Sequence, residues 1–578
     1  MHTDDESKQP EQPEATEQAV ERRERPRRFA ALKAWCKAHK RALIIAGAIL
    51  LVAVVALAAI PATRNKIAGV FVKKAVTVLV KDSQKSNPVS KARIIIGSIE
   101  AETDKDGKAV LHGIEPGEHD VTIRKELYKE TASRVVVPIL GDADQVTVAA
   151  EPTGRLVVVA VADRISGAAI VNATIDAGSG NTATTDDKGQ ATVVVPADKQ
   201  QITATVSAEG YLQAKDAAIK QDEASSVQLV PKGEVYFLSK QSGKVDVVST
   251  NFDGTGRRVI VEGTGNEDDR ETSLLASRDW KYLALLAKRQ TSTSLYLIDT
   301  VSGRLEVIDE GKDLRFELVG WSDHRFVYSV VRNNRQDWEA GYQALKSYSA
   351  PDRRLSVIEQ TQAGSEADSV VQLMSGFYIL KNNQIVYIKN WQAGWGYGLE
   401  GRTSYIMSVR ADGGDKHALK EYPAEKLSYI EAKLYTPQEI HFRVWDKEYN
   451  RLENVMTIKG KLELVPPAQQ KFDREYPTFL ISPDGTKSFW SESRDGKNAL
   501  FVGDDNATEA SRRLLANLSD YGTYGWVTDT YLLLQKNSSE LYITTADQLQ
   551  KGGTPLKVSD YHKPDTTYRG YGYGYGGL

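Results

Sequence analysis

The side chains most often used in catalysis and metal binding are few in this sequence and widely spaced. Among 578 residues there are eight histidines and one cysteine. No H-E-x-x-H, His-x-His or paired-cysteine spacing occurs, so no zinc ligand set can be recognised. The sequence also lacks G-x-S-x-G, typical of hydrolases, and G-x-x-x-x-G-K-[ST], typical of nucleotide-binding loops. Carboxylates are plentiful, but no glycosidase pair stands out. We therefore predict neither a catalytic residue nor a metal or cofactor.

A stretch rich in glycine and aromatic residues is the strongest candidate for binding. Residues 390–398 read NWQAGWGYG and contain Trp391, Trp395 and Tyr397. The stretch lies in a long insertion between two predicted strands, and loops on a rigid scaffold often carry binding residues. Trp and Tyr make good anchors for sugar rings or protein partners. The alternative is that Trp391 and Trp395 pack under the rim of the domain.

A short turn motif, T-D-x-x-G-x-A, occurs twice and indicates an internal duplication. The first copy contains Asp104 and Gly107, and the second contains Asp186 and Gly189. An aspartate here can accept backbone hydrogen bonds in an Asx turn, and the glycine can take a positive φ. The first copy also resembles the start of a calcium loop, but the glutamate that such a loop needs is missing. We interpret both copies as structural turns.

Short β-rich runs flank both turns and predict two small β-sandwiches of the immunoglobulin or transthyretin type. They cover residues 74–151 and 154–231. The turn motif, with Gly210-Tyr211 in the second unit, resembles the carboxypeptidase regulatory-like domain, a transthyretin-like sandwich close to the PEGA type. The first unit departs from the pattern with Leu127-Tyr128 at the same place. The resemblance implies a non-catalytic spacer or binding module.

Residues 233–560 contain sets of short strands that recur every 40 to 50 residues. Such a period predicts a β-propeller, with seven blades and six as the alternative. The first set lacks an obvious innermost strand, and a strand from the C-terminal region is one way to complete it. The segment ISPDGTK, which contains Asp484 and Gly485, resembles the S-P-D-G repeat of TolB-like propellers. That resemblance covers the whole of this region.

An apolar run over residues 42–60 is long enough to cross the roughly 30 Å hydrocarbon core of a bilayer. Basic residues crowd residues 21–41, which predicts a cytoplasmic N-terminus and an extracytoplasmic bulk. A cleaved signal peptide is the competing interpretation, but its basic region would be too long. We predict a disordered cytoplasmic tail over 1–28, followed over 29–62 by a basic juxtamembrane segment and a single transmembrane helix that binds the lipid bilayer.

Charge and composition narrow the possible partners. The formal net charge of −3 gives no overall cationic field, which argues against binding to nucleic acid. Cys36, the single cysteine, lies on the predicted cytoplasmic side. The predicted extracytoplasmic part therefore has no disulfide, which fits a bacterial protein. Residues 561–578 are rich in glycine and tyrosine, which alternate over 570–576, and we predict a flexible tail that is either adhesive or without a specific role.

These features together predict a mainly β protein of the bacterial cell membrane with a non-catalytic binding role. The two sandwiches would hold the propeller away from the bilayer, and the propeller would bind a protein or a glycan. The alternative is a sensor or accessory subunit of a cell-envelope complex. An envelope hydrolase with an unrecognised site is the third possibility.

Overall fold

The computed structural model describes residues 40–59, 65, 72–394, 397–458, 461–464, 478–494, 497–518, 520–537 and 540–560. The fold is mainly β, as predicted. The chain divides into two compact units, one formed by Met1–Arg155 with Pro196–Asp198 and the other by Leu156–Val195 with Lys199–Leu578. The predicted tails over 1–28 and 561–578 lie outside the described residues.

A helix over Lys40–Ala59 covers most of the predicted transmembrane segment. In the part of the chain that the structure describes, no helix is long and apolar enough to cross a membrane. The predicted transmembrane helix over 42–60 is therefore not confirmed. Its last residue, Ile60, lies outside the described residues.

The first β unit consists of two sheets around one core. Its strands are β1 Lys74–Asp82, β2 Arg93–Ile96, β3 Ile99–Glu102, β4 Lys108–Ile114, β5 Gly117–Arg124, β6 Thr131–Val137 and β7 Val146–Ala150. One sheet has the order β4-β1-β7 and the other β3-β2-β5-β6. Side chains alternate along β1, so Val76, Val78 and Val80 all face inward and pack with Ile94 and Val121 of the other sheet.

The second β unit repeats this topology, which agrees with the duplication expected from the two turn motifs. Its strands are β8 Gly154–Asp163, β9 Thr174–Asp176, β10 Thr182–Thr184, β11 Gln190–Pro196, β12 Gln201–Ser207, β13 Ala214–Lys220 and β14 Ser225–Leu229. The sheet orders are β11-β8-β14 and β10-β9-β12-β13. In both units the last strand pairs in parallel with the first.

Seven consecutive antiparallel sheets follow in the described residues. The first three sheets are β15 Glu234–Ser239, β16 Asp246–Asn251, β17 Arg258–Val261; β18 Ser273–Ala276, β19 Tyr282–Lys288, β20 Thr293–Asp299, β21 Leu305–Glu310; and β22 Leu314–Ser322, β23 Arg325–Arg332, β24 Gln343–Ser349, β25 Arg354–Gln360. The next two are β26 Val370–Ile379, β27 Gln384–Ala393, β28 Thr403–Arg410, β29 His417–Pro423; and β30 Leu427–Thr436, β31 Glu439–Asp446, β32 Arg451–Ile458, β33 Lys461–Leu464. The last two are β34 Leu480–Ile481, β35 Lys487–Arg494, β36 Lys497–Asp504, β37 Arg513–Leu518; and β38 Tyr521–Trp526, β39 Tyr531–Lys536, β40 Glu540–Thr545, β41 Leu556–Lys557. A 3-10 turn covers Ala424–Lys426, and a short helix covers Ala546–Gln550.

Packing between successive sheets gives the arrangement of a β-propeller. Separate cores join sheets one and two, two and three, three and four, four and five, and six and seven. A further core joins sheet seven to sheet one through Phe252 and Leu533. The last described strand, β41, pairs with β40 in sheet seven and does not complete sheet one. The number of blades stays a prediction.

Asp163, at the end of β8, connects the second β unit to sheet seven of the propeller. Its carboxylate is 1% exposed. Oδ1 accepts the backbone N–H groups of Ile165 at 2.8 Å and Ser166 at 2.6 Å. Oδ2 accepts the hydroxyl groups of Tyr211 at 3.1 Å and Tyr531 at 2.6 Å. The side chain of Ile165 then packs into the core that joins sheets seven and one. This loop therefore docks on the propeller through both polar and apolar contacts.

In the first β unit, Asp82 accepts a similar set of hydrogen bonds. Its Oδ1 accepts the N–H groups of Gln84 and Lys85, and its Oδ2 accepts the hydroxyl of Tyr128. Arg155 of β8 takes the place that Tyr531 of sheet seven has around Asp163, and its guanidinium donates to both carboxylate oxygens. Burial acts to raise the pKa of Asp82, but these hydrogen bonds, first that of Arg155, hold it well below its usual range. The duplication therefore includes a buried aspartate with a tyrosine partner.

Candidate functional site

The innermost strands of sheets two to seven, β18, β22, β26, β30, β34 and β38, converge on one cavity of about 300 Å³. We call it the central cavity. Tyr236 of sheet one also lines it. Most of its wall is aromatic or aliphatic, and its aromatic residues are Tyr236, Trp280, Trp321, Phe377, Tyr378, Phe479, Tyr524 and Trp526. A wall of this kind offers apolar contact to a ligand.

Hydrogen bonds to main-chain carbonyls hold three of the tryptophan rings in place. Nε1 of Trp321 donates to the carbonyl of Leu275 at 3.0 Å, and Nε1 of Trp526 donates to that of Leu480 at 2.8 Å. Each of these tryptophans is the last or the second-last residue of an inner strand, and each donates to the inner strand of the preceding sheet. Nε1 of Trp280 donates to the carbonyl of Trp526 at 2.9 Å. Because these polar N–H groups are satisfied within the propeller, the cavity wall is fixed before any ligand arrives.

Arg278 is the distinctive polar residue of the central cavity. It is half-buried, and in the described residues its guanidinium has neither a hydrogen bond nor an ion pair. Burial lowers the pKa of this guanidinium, and the charge of Asp323 only partly opposes that effect. The other cation in the wall, Lys381, pairs with Asp505. Arg278 is therefore a desolvated positive charge without a partner among the described residues.

The neighbouring carboxylate, that of Asp279, has other hydrogen-bond partners, and among the described residues it forms no hydrogen bond or ion pair with Arg278. Asp279 accepts hydrogen bonds from Ser277 at 2.9 Å and from Lys281 at 3.3 Å, and it contacts Nε2 of His324 at 2.8 Å. Burial acts to raise its pKa, but these contacts, first that of His324, lower it to about 2. Asp279 is thus an ionised residue that holds its own turn together.

This turn is a variant of the S-P-D-G turn predicted at Asp484 and Gly485. There, Asp484 Oδ1 accepts the hydroxyl of Ser482 at 2.6 Å and the N–H of Thr486 at 2.9 Å, and Gly485 has a φ of +74°. In the variant, Trp280 takes the glycine position with a φ of +60°. Such a φ is unusual for a bulky residue and favours glycine, so Trp280 is held there against a local preference.

Sequence reasoning did not identify Arg278 as a candidate, although a signal was present. The variant turn replaces the proline of the motif by Arg278 and its glycine by Trp280. Both substitutions remove residues that suit the turn and add side chains that line the central cavity. The replacement of turn residues by a cation and a large aromatic residue is such a signal.

In the predicted binding loop, the structure buries Trp391 and exposes Tyr397. Trp391 is 5% exposed and packs with Val370 and Leu399. The guanidinium of Arg402 lies 4.1 Å from the centre of its indole ring. The packing alternative therefore applies to Trp391. Tyr397 is 72% exposed, and Trp395 lies outside the described residues. A binding role for the exposed part of this loop stays a prediction.

The two turns that carry the T-D-x-x-G-x-A motif have the expected geometry. Oδ1 of Asp104 accepts the N–H groups two and four residues later, both at 2.9 Å, and Asp186 does the same. Gly107 and Gly189 have φ values of +73° and +70°. A Cβ on Gly107 would lie 2.6 Å from the carbonyl oxygen of Val80. In the part of the chain that the structure describes, no group of three or more His, Cys, Asp or Glu side chains could hold a metal ion.

Comparison with known proteins gives similarity of fold only. No protein-family model and no curated protein matches the chain. Among solved structures, the oligogalacturonate lyase of Vibrio parahaemolyticus is 11% identical to this chain. The match covers 56% of this chain and 84% of the lyase chain, with a TM-score of 0.31. TolB from Acinetobacter baumannii is 11% identical, with coverages of 55% and 76% and a TM-score of 0.26. The β-propeller domain of the Trilobed protease from Pyrococcus furiosus is 13% identical, with coverages of 63% and 96% and a TM-score of 0.32. Similarity at this level assigns no activity or partner to this chain.

Proposed function

We propose that this chain is a non-catalytic binding protein whose propeller takes an apolar, anionic group of its ligand into the central cavity. The observation that carries this proposal is the guanidinium of Arg278, which is partly desolvated in an apolar cavity and has no partner among the described residues. Removing a charge from water is unfavourable unless another group pairs with it. An anionic ligand would supply that missing partner.

The chemistry of the wall supports the same ligand class. The eight aromatic side chains of the central cavity offer faces and edges for an apolar or aromatic group. A guanidinium binds a carboxylate through two parallel N–H bonds, which fixes the orientation of the ligand. Sites that combine a largely apolar wall with a few fixed polar groups are typical of specific binding.

We also propose that residues 42–60 anchor the protein in a bacterial membrane, with the propeller outside the cytoplasm. The apolar run and the basic residues over 21–41 support this proposal. The full chain should stay in the membrane pellet after alkaline carbonate extraction, and a variant lacking 42–60 should not. Release of the full chain, or retention of the deletion variant, would contradict the anchor. Protease added to intact spheroplasts should reach the propeller if it lies outside.

Binding of 2-naphthoate tests the central cavity, because this probe is both aromatic and anionic. Ligand-detected NMR with the full chain should give saturable binding to the wild type. Ala276 lines the cavity, so Ala276→Phe should weaken that binding by about tenfold or more. Val301 is 86% exposed outside the cavity, and Val301→Phe adds the same ring as a matched control without effect. Equal binding by a folded Ala276→Phe variant would place the probe elsewhere and refute the proposal.

A further inference from the structure

The turn that contains Arg278 lies beside the turn that contains Asp323. Residues 275–279 of sheet two contact residues 321–324 of sheet three at both ends. The Nε1 group of the tryptophan that begins the second segment donates to the main-chain carbonyl of the leucine that begins the first, at 3.0 Å. The histidine that ends the second segment contacts the carboxylate of the aspartate that ends the first, at 2.8 Å. Two oppositely charged side chains therefore belong to adjacent turns.

Asp323 acts on the charge of Arg278 without a hydrogen bond or ion pair to it. Burial lowers the pKa of the Arg278 guanidinium, and the negative charge of Asp323 acts in the opposite direction. Among the described residues, no hydrogen bond or ion pair joins the two side chains. Oδ2 of Asp323 instead accepts a hydrogen bond from Nδ2 of Asn383, at 2.6 Å. The carboxylate next to the Arg278 turn is thus bound to the turn between β26 and β27 of sheet four.

Asn383 offers this hydrogen bond from a constrained position. Its φ of +65° lies in the left-handed region, which asparagine tolerates better than most residues. Its Nδ2 faces Asp323 because an ionised carboxylate accepts hydrogen bonds and does not donate them. Its Oδ1 is buried and has no hydrogen-bond partner among the described residues. A buried acceptor without a partner is unfavourable, so the hydrogen bond to Asp323 is the favourable contribution of this amide.

We propose that Asn383 is a positioning residue that holds the Asp323 carboxylate away from Arg278 and so keeps the guanidinium available to an anionic ligand. This inference rests on the proposed function and identifies a residue that controls the charge preference of the same site. Without the Asn383 amide, the Asp323 carboxylate would pair with the guanidinium, since these two groups form strong charged hydrogen bonds. The chain's own carboxylate would then compete with that of the ligand.

Asn383→Gly tests this inference, because it removes the amide and suits the φ of +65°. Dissociation constants of 2-naphthoate and of its neutral isostere 2-naphthamide are measured for the full chain by ligand-detected NMR. The variant should bind 2-naphthoate about fivefold or more weakly than the wild type, because an ion pair must be broken first. Its affinity for 2-naphthamide should change by less than about twofold, since the neutral probe makes no charged hydrogen bond. Retained binding of 2-naphthamide also shows that the variant is folded.

The same substitution in an Asp323→Asn chain shows whether Asp323 is the competing group. Because the negative charge is then absent, Asn383→Gly should change the affinity for 2-naphthoate by less than about twofold. An equal loss with and without Asp323→Asn, or an equal loss for the two probes, would show that Asn383 only supports its turn. Either result would overturn the inference.

Asn537 provides a matched control, because it does not line the central cavity. It also has a positive φ, of +51°, and its Nδ2 donates to Oε2 of Glu540 at 3.2 Å. Asn537→Gly should leave the affinities for both probes unchanged, and a loss equal to that of Asn383→Gly would contradict the role of Asp323. If the wild type binds 2-naphthoate and Asn383→Gly binds it equally well, only this inference is wrong. If the wild type does not bind it, the proposed function is wrong, and this inference is wrong with it.

Discussion

The hydrogen bond between Tyr531 and Asp163 predicts that the Tyr531 hydroxyl group helps to hold the second β unit on the propeller. Tyr531→Phe removes this hydroxyl and leaves the ring in place. The hydroxyl donates to Oδ2 of Asp163 at 2.6 Å, and the carboxylate is 1% exposed. Hydrogen bonds to charged groups stabilise proteins by about 1.5–3 kcal/mol.

The expected magnitude lies in the lower part of that range. Asp163 keeps the hydroxyl of Tyr211 and the N–H groups of Ile165 and Ser166 after the substitution, so its charge is not left without partners. We therefore expect local opening of this loop to become easier by about 1.5–2 kcal/mol. Because every 1.4 kcal/mol is a factor of ten, the amide protons of the loop should exchange about ten to thirty times faster.

Hydrogen exchange of peptides that cover residues 164–168 measures this effect directly. Tyr328 offers a matched control, because its hydroxyl donates to Asp309 at 2.8 Å in a different part of the propeller. Tyr328→Phe should leave exchange at residues 164–168 unchanged. Unaltered exchange in Tyr531→Phe, or an equal increase in both variants, would show that the Tyr531 hydroxyl does not hold this loop.

Three further predictions concern the first β unit and the predicted binding loop. The pKa of the Asp82 carboxyl is lowered in the fold, so its contribution to stability is present above its unfolded value of about 4 and is lost as the pH falls through the lowered pKa. In urea titrations the stability difference between wild type and Asp82→Asn should therefore stay constant from about pH 7 to about pH 5 and shrink as the pH falls further to about pH 2; an unchanged difference down to pH 2 would contradict this role of Asp82. Gly107→Ala should destabilise the protein clearly more than Gly97→Ala in the same titrations, since both glycines have positive φ but only Gly107 lacks room for a Cβ; equal losses would exclude the steric clash. In thermal unfolding, Trp391→Ala should cost about 3–5 kcal/mol because the ring is buried, and Tyr397→Ala should stay within about 0.5 kcal/mol. A neutral Trp391→Ala would contradict the packing role.

Local sequence patterns were sufficient to predict that the fold is mainly β and where the two repeated turns lie. Alternation of apolar residues, as in Val76, Val78 and Val80, indicates which side of a strand faces the core. The turn aspartates Asp104 and Asp186 mark the same point in each repeat, because their hydrogen bonds involve residues only two to four positions away. Features of this kind depend on a few adjacent residues and can be read directly.

The candidate site could not be predicted in the same way because it depends on distant residues. Six inner strands bring Arg278, Phe377 and Trp526 to one cavity, and their convergence is set by the packing of whole sheets. The Asp279 carboxylate next to Arg278 contacts His324, which is 45 residues away in the sequence. The burial of Trp391 likewise follows from packing against residues that are distant in the sequence.

The effect of charge on binding in the central cavity tests the proposed function most directly. The measurement compares the dissociation constants of 2-naphthoate and its neutral isostere 2-naphthamide for the full chain. If the Arg278 guanidinium receives an anionic ligand, the wild type should bind the carboxylate at least about tenfold more tightly than the amide, as expected for a charged hydrogen bond. Arg278→Gln should bring the two affinities together. Arg410 pairs with Asp412 outside the central cavity, so the matched control Arg410→Gln should leave the preference unchanged. Equal affinities in the wild type, or a preference that survives in Arg278→Gln, would contradict the proposed function.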